Sequence, residues 1–123
     1  GAGLTGTWLI MADLSGADLR GADLSNANLD GVNLSNADLT GAVLRAASLN
    51  AVDMKGPDGK STGRLWPANL SNCNLTGTDL SGAHLRHANL TDANLTKAIL
   101  LDAILDNAKL DGAILDRATM PRS

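Results

Sequence analysis

The stretch ADLSG ADLRG ADLSN ANLDG VNLSN ADLTG, residues 12–41, decides the fold because it repeats a five-residue unit without interruption. In each unit a small residue, nearly always Ala, lies two positions before a Leu, and an Asp or Asn usually lies between them. Outward from this stretch, unit centres recur every five residues from Leu4 to Met54 and from Leu70 to Met120. These are 22 centres, 20 of them Leu.

A period of five excludes both continuous regular structures. In an α-helix five residues advance about 500°, so successive Leu residues would move around the axis. In one long strand an odd period would place successive Leu residues on alternate faces. The chain must therefore turn once per unit, and the Gly or Asn that often stands two residues after the centre supplies that turn, since both tolerate positive φ.

Each unit buries its Leu and its small residue and points its polar residues outward, as a short half-buried strand does. The chain has no Phe or Tyr and only two Trp, so Leu and Ala must build the core. The predicted core centres are Leu14, Leu19, Leu24, Leu29, Leu34, Leu39, Leu75, Leu80, Leu85, Leu90 and Leu95.

The tandem A(D/N)LXX units resemble the pentapeptide-repeat family over about nine-tenths of the chain. The resemblance implies an all-β fold, a right-handed quadrilateral β-helix with four units in each coil. With strands stacked about 4.8 Å apart, the units would make about five and a half coils and a rod about 26 Å long. We therefore expect a single domain over residues 1–123 with about five to six coils.

The pattern is interrupted by a loop at residues 55–67, KGPDGKSTGRLWP, in which GPDG is a strong turn signal. Because Met54 and Leu70 are 16 residues apart, we expect the register to slip by one residue and the extra residue to bulge outward. Leu65 is a candidate surviving centre.

Two interpretations of this loop remain. A tolerated surface loop is the simpler one, but loops carry function more often than cores do, and Trp66 and Arg64 are then the candidate contact residues. Trp8 is a second outward Trp, near the start of the chain. Either Trp could anchor a partner or fold as a lid over the flank or the open end.

Four apolar residues in the last part of the chain occupy outward positions that are polar elsewhere in the repeat. They are Ile99, Leu101, Ile104 and Ile114. Solenoid ends expose sheet edges and uncovered core. These residues are therefore a candidate interface for a homodimer or for an unknown protein partner, although an apolar flank covered by the terminal residues fits the same pattern.

The remaining polar residues suggest little chemistry. His84 and His87 project outward, and two His without further ligands make a poor metal site. Asp18 would stack on Asp38, and Asp13 would stack near Asn33 and Asp53. Such ladders could raise the pKa of a carboxyl group or attract a cation. Solvated repeat positions that cap turn amides explain these Asp residues more simply.

Cys73 occupies a small inward position and should be inert. No Ser-His-Asp set or phosphate loop is recognisable, so we expect neither catalysis nor a cofactor or metal. Ten Lys and Arg against 13 acidic residues give a net charge of −3, too mild to predict nucleic-acid binding. No stretch is apolar enough to span a membrane and no signal peptide opens the chain, which predicts a soluble protein of the cytoplasm, or of a lumen or periplasm after processing.

Two functions from different classes remain. The first is a non-enzymatic structural or protein-interaction solenoid of unassigned specific role, like many Leu-centred, often cyanobacterial members of the family. The second, which the resemblance alone implies, is a DNA-mimicking ligand or inhibitor of a type II topoisomerase, DNA gyrase. Those relatives favour Phe centres and a strong acidic field, which this chain lacks. We therefore expect the interaction solenoid.

Overall fold

The computed structural model describes residues 2–121, in which the chain winds as a stack of coils. Parallel β-bridges join each unit to the unit 20 residues later, as from Asp13 to Asn33. Twenty residues are four units, so each coil has four short sides. We number the sides by the centres of one coil, from side 1 to side 4: Leu24, Leu29, Leu34 and Leu39.

Backbone hydrogen bonds tie each coil to both of its neighbours. On side 3, the N–H of Leu34 donates to the carbonyl of Asn69 at 2.7 Å, and the N–H of Asn33 donates to the carbonyl of Ala12 at 2.9 Å. At the corner, the N–H of Ala37, the first residue of the next unit, donates to the carbonyl of Leu34 at 3.0 Å and closes the turn. The stack thereby satisfies the backbone groups of its inner coils.

The interior is a column of Leu and small residues that is buried along the middle of the stack. Every Leu centre between Leu24 and Leu95 is 0% exposed, whereas Leu14 and Leu19 in the first coil are only partly buried. Thr78 replaces Ala at one inward position, and its hydroxyl donates to the carbonyl of Leu39 at 2.7 Å. An inward hydroxyl is thus satisfied inside an apolar column.

Most of the corner residues, two positions after each centre, have backbone dihedral angles in the left-handed region. Besides Gly and Asn, this corner position holds Met11, Ala46, His87, Asp92, Lys97, Asp102 and Arg117, all with positive φ. Such a conformation costs an L-residue about 1–2 kcal/mol, which the stacking of coils on both sides offsets. The corner is therefore set by the repeat and not by Gly or Asn alone.

The interruption is a β-hairpin that leaves the stack. Strand β1, Val52–Lys55, pairs antiparallel with strand β2, Ser61–Trp66, and the pairing is irregular between Met54 and Lys55.

Within residues 2–121 no helix is long and apolar enough to cross a membrane.

The count in fives does slip by one residue across the interruption, but the prediction that a single residue bulges outward is wrong. Asn33 bridges to Asn69, 36 residues later, where every other bridge between coils clear of the interruption spans 20, so the hairpin inserts 16 residues and the coils keep one register. Removal of residues 52–67 would join Ala51 to Ala68 with every unit intact. The interruption is therefore an insertion between two complete five-residue units. It begins three residues earlier than predicted.

Two predicted centres also lie outside the core. Met54 is part of β1 and 37% exposed, and Leu65 is part of β2 and 46% exposed. The error arose because Met54 stands five residues after Leu49 and fits the period by coincidence. Leu70, not Met54, follows Leu49 in the column, since Leu34 donates to Asn69 of that next unit.

Candidate functional site

The hairpin is the element of the described chain that projects from the solenoid. Its turn is closed by two backbone bonds: the N–H of Gly56 donates to the carbonyl of Lys60 at 2.8 Å, and that of Gly59 donates to the carbonyl of Gly56 at 2.9 Å. Gly59 adopts a φ of 75°, which favours Gly. Every residue of β2 is exposed. The hairpin thus has a defined backbone while its side chains stay open to solvent.

The two faces of the hairpin carry different side chains. Val52 pairs with Trp66 and Met54 pairs with Arg64 on one face, because alternate residues of a strand point the same way. Leu65 lies on the other face. Trp66 is 51% exposed, and Arg64 is also exposed. Both predicted contact residues are therefore accessible and share one face.

The base of the hairpin packs on the corner between sides 2 and 3, at Gly31. A Cβ on Gly31 would lie 2.9 Å from Cγ2 of Val52 and 3.2 Å from Cδ1 of Trp66. It would also lie 2.5 Å from Sδ of Met11, the corner residue one coil earlier. A Cβ here would lie too close to these three side chains, and Gly31 is buried whereas most other corner residues are exposed. This contact fixes the hairpin to the solenoid.

A groove of about 240 Å³ lies between the hairpin base and side 3. Its lining residues are Val32, Asn33, Trp66, Pro67, Asn69 and Asn89. The three Asn residues are stacked on successive coils by parallel bridges, and Trp66 and Pro67 contribute apolar lining. Among residues 2–121, no charged side chain lines the groove. It is thus an uncharged slot that runs along the solenoid axis.

The amide groups of the three Asn residues are held in one orientation. Oδ1 of Asn33 accepts from the backbone N–H of Ser35 at 3.1 Å and from its hydroxyl at 2.7 Å. The same two bonds, from Ser or Thr two residues later, hold Asn69 and Asn89. Within residues 2–121 the amino groups have no protein acceptor, and none is buried. The Asn column therefore offers donors and no free amide acceptor.

The predicted Asp ladder has lowered pKa values, contrary to the hypothesis that stacking raises them. The Arg20 guanidinium donates to both carboxylate oxygens of Asp18, at 2.8 and 2.7 Å, and this hydrogen bonding lowers the pKa of Asp18 to about 2. Hydrogen bonds from Thr40 lower the pKa of Asp38, which stacks on Asp18. Both carboxyls are therefore ionised at neutral pH and poor proton donors.

Asp53 does not join a ladder. It lies in β1, where its carboxylate accepts from the hydroxyl of Ser61 at 2.8 Å. Asp13 does stack on Asn33, as predicted. The third member of this ladder is missing because Asp53 belongs to the inserted hairpin and not to the coils.

The side chains considered for metal or thiol chemistry remain apart from one another. His84 lies on side 2, and His87 is a corner residue with a φ of 60°. Across residues 2–121 no group of three His, Cys, Asp or Glu could hold a metal ion. Cys73 is buried, and burial raises the pKa of its thiol to about 12. The thiol therefore stays protonated.

The four predicted interface residues do not form one flat patch. Ile99 and Leu101 lie on side 1, Ile104 on side 2 and Ile114 on side 4. Sides 2 and 4 face opposite directions. A single flat partner could therefore cover Ile99 with only one of Ile104 and Ile114.

Sequence reasoning missed the residues that hold and line the groove, among them Met11, Gly31, Asn69 and Pro67. Their contacts join three coils, and the wrong register hid which residues share a side. The available signal was the 16-residue length of the insertion, which places Trp66 and Pro67 directly before side 3 of the next coil. When residues 52–67 are left out of the count, Asn69 follows Asn33 by 20 residues, and the two are neighbours in the stack.

The family follows from a direct match. A model described as pentapeptide repeats matches the chain in 8 copies, over residues 1–36, 27–56, 68–102 and 84–122. The chain therefore belongs to the pentapeptide-repeat family. Its fold is the all-β, right-handed β-helix of that family, which confirms the fold predicted from the sequence.

Several solved structures are similar to this chain. Rfr23 from the cyanobacterium Cyanothece 51142 is 28% identical over 97% of this chain and 88% of its own, with a TM-score of 0.43. HetL, a protein involved in heterocyst differentiation regulation in Nostoc sp. strain PCC 7120, is 35% identical over 96% of this chain, with a TM-score of 0.42. The match spans 59% of HetL.

QnrB1, a plasmid-mediated fluoroquinolone resistance protein, is 18% identical in a trypsin-treated form, over 92% of this chain and 59% of its own, with a TM-score of 0.43. That similarity concerns the fold alone. No protein of curated function matches this chain in sequence.

Proposed function

We propose that this chain is a non-enzymatic protein-interaction solenoid that presents the hairpin and its groove to another protein. The observation that carries the proposal is Trp66, half exposed on a hairpin that the core does not need. The coils on both sides of the hairpin bridge directly to each other in one register, as Asn33 does to Asn69. Exposed Trp residues in ordered positions are typical anchors of protein interfaces.

The contact at Gly31 supports this function because it orders the hairpin. A two-stranded hairpin alone is at best marginally stable in water. Val52, Trp66 and Met11 all pack over Gly31, so the rest of the hairpin is presented from a fixed base. An ordered recognition element loses less conformational entropy on binding than a flexible loop does.

The exposed apolar surface extends from the hairpin to the first coil. Met11, which contacts the hairpin base, is 42% exposed, and its neighbours Ile10 and Trp8 are 41% and 79% exposed. Apolar residues gathered at one corner favour a protein partner over solvent alone. Proteins of this family generally serve as structural or interaction proteins.

The test is capture of partners by the immobilised chain from an extract of its source organism, with mass spectrometry as the readout. The decisive variant lacks residues 52–67 and joins Ala51 to Ala68. We expect a partner that the full chain retains and that both this variant and Trp66→Ala lose. Asn74→Asp, on side 4, is the matched control and should retain it. A set of partners that the excision leaves unchanged contradicts the proposal.

Gyrase mimicry has less support from the described surface. Arg45 pairs with Asp79, and Arg86 lies 4.0 Å from Asp106, so cations interrupt the acidic positions along the stack. A DNA mimic needs a field of one sign. We expect a titration of this chain to leave supercoiling by purified DNA gyrase unchanged. Inhibition at stoichiometric amounts would instead favour the mimic.

A further inference from the structure

The groove beside Trp66 has a hydrogen-bonding character that restricts its ligand. Its polar wall consists of three Asn amino groups that all donate, because the Oδ1 atoms of Asn33, Asn69 and Asn89 are already occupied. Its apolar wall consists of Trp66 and Pro67. A ligand that fits should therefore combine aligned acceptors with apolar rings, and the lining residues offer no ion-pair partner for a charged group.

From this geometry we propose that the groove binds a proline-rich segment of a partner protein in the polyproline II conformation. Proline has no N–H, so such a segment offers carbonyl acceptors and almost no donors. Its backbone carbonyls are solvated and free, since the polyproline II helix has no internal hydrogen bonds. The donor-only Asn column and the acceptor-only segment complement each other. This proposal rests on the proposed function as a protein-interaction solenoid.

The spacing of the Asn residues supports this ligand. Asn33 and Asn89 are two stacked strands apart, which is about 9.5 Å at the usual strand separation. One turn of polyproline II is three residues and about 9.3 Å long. A segment parallel to the solenoid axis therefore places the carbonyls of residues n and n+3 against Asn33 and Asn89. A β-strand, with a repeat of about 6.8 Å for every second residue, does not match.

The apolar wall completes the match. Proline-rich segments dock in grooves lined by aromatic residues, where their rings pack on an exposed indole face. Trp66 lines the groove, and half of its surface is exposed and available for such packing. Since no charged residue lines the groove, binding should depend little on salt.

The test is a titration of the ¹⁵N-labelled full chain with decaproline, followed by NMR. We expect shifts of the side-chain amide signals of Asn33, Asn69 and Asn89 and of the Trp66 indole signal. Asn89→Asp removes one of the two donors that face a carbonyl but keeps Oδ1, which accepts from Thr91 as Oδ1 of Asp38 accepts from Thr40, so the fold persists. It should weaken binding about tenfold or more, which corresponds to about 1.4 kcal/mol. The variant loses a hydrogen bond, and its carboxylate also repels the carbonyl that the amino group bound.

The matched control is Asn74→Asp on side 4, where Thr76 makes the same two bonds outside the groove. It should bind decaproline as the natural chain does. A glycine-serine peptide of equal length should not bind.

Absence of shifts at large excess of decaproline, or equal weakening by both variants, would overturn the proposal. Binding of maltohexaose at the same signals in place of decaproline would overturn it in favour of a carbohydrate ligand. Capture of a hairpin-dependent partner without decaproline binding would leave the interaction function standing and remove only this ligand. The two conclusions therefore fail separately.

Discussion

At the scale of single residues, a side-chain oxygen before many of the centres helps to hold the turn. Asp or Asn there accepts from the N–H two residues later, as Asp18 does from Arg20 and Asn94 from Thr96. Asp and Asn alternate freely in the repeat because both present the same Oδ1 atom to the turn. What differs between them is charge, so only the Asp positions make the stability depend on pH.

Asp18→Asn should reduce the dependence of stability on pH in acid. The pKa of Asp18 in the folded chain is about 2, below its ordinary value of 3.8, so its carboxylate stabilises the fold above that ordinary value. This contribution is lost as the pH falls from about 4 to about 2. Urea unfolding at several pH values in this range should show a smaller loss for Asp18→Asn. Arg20→Gln should flatten the profile similarly, and unchanged profiles in both would contradict the assignment.

Gly31→Ala should destabilise the chain more than Gly41→Ala. Both positions have positive φ, 65° and 69°, so both variants meet the same backbone cost of about 1–2 kcal/mol. Only Gly31 lies against the hairpin base, whereas nothing lies within 4 Å of a Cβ on Gly41. We expect an additional loss of about 1 kcal/mol from overpacking, measured by urea unfolding, with a change in Trp66 fluorescence. Equal losses would show that the contact does not hold the hairpin.

At the scale of elements, the hairpin is an insertion between two complete units. The N–H of Asn69 donates to the carbonyl of Val32 at 2.8 Å, as stacked units of successive coils do elsewhere. The coils therefore stack normally across the insertion point. β1 and β2 pair with each other and not with the coils. Within residues 2–121 the hairpin is therefore joined to the coils by side-chain packing, as over Gly31, and not by strand pairing.

Excision of residues 52–67 should therefore leave a folded solenoid. The variant joins Ala51 to Ala68 and loses only the contacts of Val52 and Trp66 over Gly31. We expect an unchanged far-ultraviolet circular dichroism spectrum per coil residue and a thermal midpoint within a few degrees of the natural chain. Loss of cooperative unfolding would mean that the hairpin is part of the folding unit. Deletion of residues 55–67, the predicted loop, should by contrast break the register.

At the scale of the whole molecule, the chain is a one-dimensional stack in which each coil contacts its two neighbours. Burial therefore depends on the position of a coil along the axis. Leu34 and Leu14 occupy the same side, but Leu34 is 0% exposed and Leu14 is partly buried.

Leu34→Ala should cost more stability than Leu14→Ala. A fully buried Leu replaced by Ala loses about 2–5 kcal/mol, because the cavity cannot collapse in a stack fixed on both sides. The first coil can relax, so Leu14→Ala should cost distinctly less. Urea unfolding of the two variants gives the comparison. Equal losses would mean that the first coil is packed as tightly as the middle of the stack.

Association through the apolar residues of the later coils remains a prediction. If Ile99 and Leu101 on side 1 form a homodimer interface, sedimentation velocity should show a concentration-dependent dimer. Ile99→Asp should abolish it by placing a charge in the apolar contact. Ile114→Asp, on side 4, is the comparison that tells which corner takes part. A monomer at all concentrations would rule out the interface.

The sequence by itself determined the repeat fold. The Leu period, the small residue two positions before it and the corner residue are local patterns, and each unit can satisfy them only by turning and stacking. The sequence also marked Trp66 and Arg64 as accessible residues. Its errors, Met54 and Leu65 as centres and Asp53 as a ladder member, come from counting in fives across an insertion.

Only the tertiary structure decided the register across the hairpin and therefore the groove. Asn33 and Asn69 lie 36 residues apart in the chain but are adjacent in the stack, because backbone bonding and the burial of Leu70 select the frame. The packing of Met11, Val52 and Trp66 over Gly31 joins separate coils. A local pattern cannot specify such contacts, since they depend on which units share a side.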